Sequence, residues 1–258
     1  MIGIFDSGLG GLTAYRELHK LLPNENFVYF GDTGRVPYGS RSYEILKRYT
    51  RQDINFLIEN GADAILAACG TVSSVVLDEI KTEYNVPIIG VVDASAAEAL
   101  EATKNGIVGV IGTGATVSSG AFEKKLIAGG AKKVVSVACP LFVPLVENGY
   151  IARDCEVTKL VAKDYLQKIK EAGADTLILG CTHFPIIAEI IGDILPGVTL
   201  INSGAAAAKA LAKSYNKSAE NASSEFYVSD SPVNFDAVAR IFLGGETVNA
   251  KRIDIDKY

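Results

Sequence analysis

Residues 59–69 read ENGADAILAAC and residues 171–181 read EAGADTLILGC. Glu, Gly, Ala, Asp and Cys coincide and two further positions exchange Ile with Leu, all at a constant spacing of 112. A second echo precedes each segment: IGIFDSG at 2–8 aligns with VGVIGTG at 108–114, at a spacing of 106. Both echoes keep the same order, so the chain reads as two related halves. Each half presents a cysteine, Cys69 or Cys181, at the end of an equivalent apolar run.

Those runs are strand-like. Short β-branched segments are expected at 1–5, 27–31, 63–68, 87–92, 106–111, 133–138, 175–180 and 198–202, and helical patterns at 43–59, 94–104, 158–172 and 205–215. Strand–helix alternation predicts the α/β class, with two pseudo-symmetric doubly wound domains built on parallel sheets. The strands are apolar on both faces, as they must be where helices cover both sides. The first domain is expected at 1–92 plus about 205–258 and the second at 93–204, with the active site in the cleft between them. SEFYVSDSP predicts a strand and turn. The short helix that follows carries Phe235, Val238 and Phe242 on one face and returns to the first half. Ligands of open α/β sheets bind beyond the carboxyl ends of the strands. Here those ends read DSG, GDTGRVPYG, CGT, GTGAT, CPLF and CTH, rich in hydroxyls, thiols, carboxylates and free amides.

At 258 residues the chain is comfortable for two small domains and needs no disulfide staples. A net charge of −5 argues against nucleic acid as a partner, because a phosphate footprint needs clustered Lys and Arg. No apolar run reaches the roughly 18–20 residues of a membrane span. The start MIGIFDSGLGG lacks a signal-peptide pattern, so the expected compartment is the cytoplasm and the four cysteines are expected as thiols. They fit no CxxC spacing, and with two histidines no metal site is expected. Cys139 and Cys155 fall outside the repeat and read as structural. GLGG at 8–11 and GTGATV at 112–117 match no nucleotide fingerprint, but a glycine-rich turn at a helix start also suits a carboxylate.

Two thiols at matched strand ends suit one chemistry. Inverting a stereocentre requires a proton to leave one face of Cα and another to arrive on the opposite face. Two fixed groups, one thiolate and one thiol, do this without swinging, each acting as base in one direction and acid in the other. One thiol must then ionise below the ordinary value near 8.5, and a position between a strand end and a helix N-terminus favours that. Nothing in the sequence supplies a pyridoxal phosphate site, and no cofactor is expected. Asp6 and Ser7 also fit simple helix caps near Gly10. His183, two residues after Cys181, can tune that thiol.

The motifs IGIFDSGLGGLT (2–13), GDTGRVPYGSRS (31–42), ACGT (68–71), GTGATVSSGAF (112–122), CPLFVPLVENG (139–149) and LGCTHFP (179–185) resemble glutamate racemase, within the aspartate/glutamate racemase superfamily. The resemblance runs in order from the start of the chain to about residue 204. It implies a two-domain, cofactor-independent enzyme that interconverts L- and D-glutamate for peptidoglycan synthesis and is often a homodimer. By motif position it implies Cys69 and Cys181 as the acid–base pair, Asp6 assisting Cys69, and His183 with Glu147 assisting Cys181. Ser7, Pro37, Tyr38, Gly39, Gly70, Thr71, Thr113, Thr116 and Thr182 would line or bind the substrate, an acidic amino acid.

Two departures stand out. The family usually reads Cys-Asn-Thr where this chain has Cys69-Gly70-Thr71, and Asp-Ser-Gly where it has Asn202-Ser203-Gly204. Gly70 is expected to leave a gap for water or a neighbouring side chain. That keeps open an aspartate or other amino-acid racemase, or a catalytically impaired relative that only binds ligand.

Overall fold

The computed structural model describes residues 1–215, 217–230 and 235–258, without the side chain of Asp236. The described strands are β1 (Ile2–Asp6), β2 (Phe27–Gly31), β3 (Ala64–Ala67), β4 (Ile88–Gly90), β5 (Ile107–Gly112), β6 (Lys133–Ala138), β7 (Thr176–Leu179), β8 (Thr199–Asn202), β9 (Ser224–Val228) and β10 (Ala250–Arg252). They form a six-stranded sheet, β10-β9-β2-β1-β3-β4, and a four-stranded sheet, β6-β5-β7-β8. Every strand pair is parallel.

The repeat governs register as well as strand identity. Ile2 lies beside Ala64 in the first sheet and Val108 beside Thr176 in the second, so each echo aligns its strand to the same partner. The chain leaves both strands in the same way. Ala68 N–H donates to Phe5 O at 3.0 Å, and Gly180 N–H donates to the equivalent Ile111 O at 2.8 Å. Cys69 and Cys181 follow these bonds and are thereby fixed at matched points.

Helices separate the strands: α1 (Leu12–Leu21), α2 (Tyr43–Glu59), α3 (Gly70–Val75), α4 (Leu77–Ile80), α5 (Val91–Ala102), α6 (Gly114–Ser118), α7 (Ala121–Ala128), α8 (Phe142–Glu147), α9 (Glu156–Glu171), α10 (Ala188–Ile194), α11 (Ser203–Ser214) and α12 (Phe235–Leu243). Helix α2 keeps the bounds expected from its periodicity, with Ser42 as N-cap accepting from Ile45 N–H. Helix α5 starts at Val91, so the strand expected at 87–92 is only Ile88–Gly90. Its apolar start belongs to a buried helix turn, which a short run cannot distinguish from a strand. Asn202 accepts from Ala205 N–H at 3.1 Å and so caps α11, as the family's Asp would.

The C-terminal strand β9 pairs with β2, and β10 extends that edge. The turn expected in SEFYVSDSP reaches 231 and 232, outside the described residues. Phe235 and Phe242 of α12 are buried and Val238 packs partly against them. One apolar cluster runs from Ile2, Leu12 and Tyr29 through Ile111, Leu177 and Leu179, spanning both sheets. Each such Leu or Ile contributes about 1.5–3 kcal/mol when fully buried, so the halves are held together by core packing. No helix among the described residues is long and apolar enough to cross a membrane.

Candidate active site

Cys69 is the N-cap residue of α3, and both Cys69 and Cys181 are buried, at 4% and 7% exposure. Burial and the Asp6 carboxylate chiefly raise the Cys69 thiol, and Cys181 adds a smaller push from across the join. On the first side, Asp6 ends β1 and its carboxylate accepts from Gly8 N–H at 3.2 Å and Gly11 N–H at 3.0 Å. Asp6 therefore satisfies the start of α1 and faces Cys69 as well. Burial raises its pKa, against the pull of His183 and of the Gly11, Gly8 and Ser7 amides.

Burial first, and then the Asp6 charge, push Cys69 up to about 12, against the pull of Val72 N–H and the Ser7 hydroxyl. The expectation that the helix start favours a Cys69 thiolate is reversed here. A six-residue helix has too weak a dipole to outweigh desolvation beside a carboxylate. Cys181 is not followed directly by an α-helix. Its turn leads into a 3-10 segment, Phe184–Ile187.

Cys181 has a different partner. His183 Nδ1 lies 3.8 Å from its Sγ and 3.3 Å from Thr182 Oγ1, while Nε2 meets Glu147 Oε1 at 2.9 Å. Glu147 ends α8 and is exposed, so it links the buried imidazole to the surface. The Phe242 ring packs edge-on to His183 at 5.1 Å.

Hydroxyls join the halves. Thr71 Oγ1 is 3.0 Å from Thr113 Oγ1, which is 3.0 Å from Thr116 Oγ1. Thr113 also caps α6 through Thr116 N–H. Gly39 stands against Thr113, while Pro37 is exposed. The Tyr38 side chain is buried, with its hydroxyl on the Asp32 and Asp53 carboxyl groups. No group of His, Cys, Asp and Glu suited to a metal occurs among the described residues. A cavity of about 540 Å³ lies along β6 and α9, lined by residues such as Ser136, Tyr165 and Lys168; none of the strand-end residues named above reaches it.

The Asp/Glu/hydantoin racemase family model matches residues 16–211. Glutamate racemase from Aquifex aeolicus (strain VF5) is 45% identical over 245 residues, covering 95% of this chain and 94% of the relative. The chain belongs to the glutamate racemase family. Glutamate racemase from Persephonella marina is 39% identical over 256 residues, covering 99% of this chain and 98% of the relative. The crystal structure of glutamate racemase from Francisella tularensis in complex with D-glutamate matches with a TM-score of 0.90 at 37% identity, covering 100% of this chain and 98% of that one.

Within this racemase fold, Gly70 leaves no gap. A Cβ there would lie 2.2 Å from the carbonyl oxygen of Gly180, so backbone of the other half occupies the space expected for water or a side chain. Two further residues adjoin these strand ends. Thr13 Oγ1 contacts Gly10 O at 2.8 Å and Thr182 O at 3.0 Å, tying α1 to the Cys181 loop. Tyr29 donates to Gly8 O at 2.9 Å. Neither stands out in the sequence, because each lies within an apolar segment.

His183 supplies a pH test of the surroundings of Cys181. Burial opposes its charge, but the hydrogen bonds to Cys181 and Glu147 outweigh burial and raise it to about 10. Stability from the imidazolium is therefore complete below its ordinary value near 6.5 and is lost as pH rises through about 10. A His183→Gln variant is expected to melt several degrees below the parent at pH 6.5, at roughly 2–4 °C per kcal/mol for this chain length, and to close that gap by pH 10.5. A gap that stays constant across the range would contradict a charged His183.

Proposed function

We propose that this protein racemises glutamate without a cofactor, with Cys69 and Cys181 exchanging protons at opposite faces of Cα. The supporting observation is the pair of repeat-related thiols at equivalent strand ends, each with its own acid–base partner. Cys181 Sγ lies 3.8 Å from Nδ1 of the His183 imidazolium, while Cys69 waits as a thiol beside Asp6. The substrate ammonium brings a cation into this buried site, which favours the thiolate form of Cys69. Asp6, its own carboxyl raised by burial, is placed to exchange a proton with Cys69. Thr71, Thr113, Thr116 and Thr182, with Ser7 and nearby backbone amides, hold the carboxylates. Glutamate is the substrate named for the relatives that match nearly the full chain.

The same reading makes the product D-glutamate for peptidoglycan and places the enzyme in the cytoplasm. The two domains divide at 1–92 plus about 205–258 and at 93–204. Exposed Leu141, Tyr150, Val157 and Leu160 are suited to homodimer contact. The test is loss of optical activity on incubation with L-glutamate and, in parallel, L-aspartate, with no added cofactor. Decay with glutamate alone is the expected result. Decay only with aspartate would move the substrate assignment, and no decay with either from folded protein would remove it.

A further inference from the structure

The loop between β2 and α2 is anchored by an unusual set of buried groups. Asp32 and Asp53 are both fully buried, and one guanidinium serves both. Arg35 Nε donates to Asp32 Oδ2 at 2.6 Å, and its terminal nitrogen donates to Asp53 Oδ1 at 3.2 Å. The Tyr38 hydroxyl contacts Asp32 Oδ2 and lies 3.0 Å from Asp53 Oδ2. A phenol has one proton and can donate it to only one of these carboxyl groups. If both aspartates were ionised, the second contact would set an oxygen lone pair against a carboxylate, and the cluster would bury two anions against one cation.

Both difficulties vanish if one carboxyl keeps its proton and donates it to the Tyr38 oxygen. The partners decide which one. Asp32 also accepts from Ser229 at 2.7 Å, so three side chains donate to it, whereas Asp53 receives only the longer Arg35 contact. The charge belongs on Asp32 and the proton on Asp53. We propose that Asp53 is a neutral, hydrogen-donating acid that, with Asp32 and Arg35, positions the 37–39 loop against Thr113. Burial first, then the Asp32 charge, raise Asp53 well above the ordinary carboxylate range, with Arg35 and Tyr38 opposing. The other titratable groups around it are Asp6 on β1, Tyr84 before β4, Tyr49 on α2 against Arg35, and exposed Asp256 at 3.7 Å from Arg35.

The positioning role rests on the racemase reading, whereas the protonation state does not. Asp53→Asn preserves shape, keeps a donor for Tyr38 and cannot titrate. The unfolded parent loses its Asp53 proton near pH 4 while the folded parent keeps it, so the parent loses ground to the variant as pH rises from there to the folded value. The melting temperature of Asp53→Asn minus that of the parent is therefore expected to rise by about 8–16 °C between pH 4.5 and 7.5. A difference that is flat or falls with pH overturns the proposal, since an Asp53 ionised by Arg35 would make the parent gain instead. In turnover, Asp53→Asn is expected within about 3-fold of the parent, whereas Asp53→Val raises KM about 10-fold because its loop shifts. Equal impairment of the two variants would overturn the positioning role. If the parent does not racemise, the functional reading fails and the melting comparison still decides the protonation state.

Discussion

Cys69→Ser and Cys181→Ser are each expected to fold as the parent does and to lose about 10²–10⁴-fold in kcat for glutamate racemisation, the range a positioned acid or base contributes. Serine keeps the size and hydrogen-bonding capacity of cysteine, but its hydroxyl does not ionise near neutral pH. Each thiol serves as the base for only one enantiomer, so either loss stops turnover in both directions. The burial of Cys69 sharpens the expectation. Its thiol is already pushed up to about 12, and a hydroxyl in the same place would be harder still to ionise. Near-parental turnover by either variant, with matching melting temperature, would remove that cysteine from the chemistry. Cys139, which is buried and lies outside the repeat, serves as the control and is expected to tolerate Ser far better in turnover.

The second large effect is at Gly70. Asn at this position is what the resemblance leads one to expect, yet a Cβ would meet Gly180 O at 2.2 Å. That oxygen does not yield easily, because Gly180 N–H is bonded to Ile111 O at 2.8 Å and the segment continues β7. Gly70→Asn is expected to cost about 1–3 kcal/mol as an overpacked contact, roughly 3–10 °C in melting temperature. It also drives a wedge between residues that adjoin the two thiols. A misplacement of about 1 Å can cost on the order of 10²-fold, so turnover is expected to fall at least about 10-fold. Unchanged stability and turnover would show that the halves part freely at this point. The contact also weighs against an impaired enzyme, because the glycine fills a packing requirement.

Much of this was legible in the sequence, for a physical reason. A duplicated strand carries its register with it, so the two echoes led to the parallel pairs Ile2–Ala64 and Val108–Thr176 and to the equivalent positions of Cys69 and Cys181. His183 stood out through its spacing from a thiol. What stayed hidden depends on depth or on contacts between halves. The thiolate expected at Cys69 is reversed by burial that no local pattern reports. The role of Gly70 is a contact across 110 residues of chain. The Asp32–Arg35–Asp53 set had one visible trace. Asp53 lies on the apolar stripe of α2 with Leu46, Thr50, Ile54 and Leu57, where a charged residue needs a buried partner. Strand β10 is three residues long, two of them charged, and offers no periodicity to read.

The central claim is that two groups, one on each face, move the proton. The direct measurement is the isotopic composition of both enantiomers at early conversion of L-glutamate in D₂O. Transfer between two thiols that equilibrate with solvent predicts D-glutamate carrying deuterium at Cα while the remaining L-glutamate keeps its protium. Protium retained in the product, or deuterium appearing equally in both enantiomers from the start, would mean a single base serves both faces and would contradict the account.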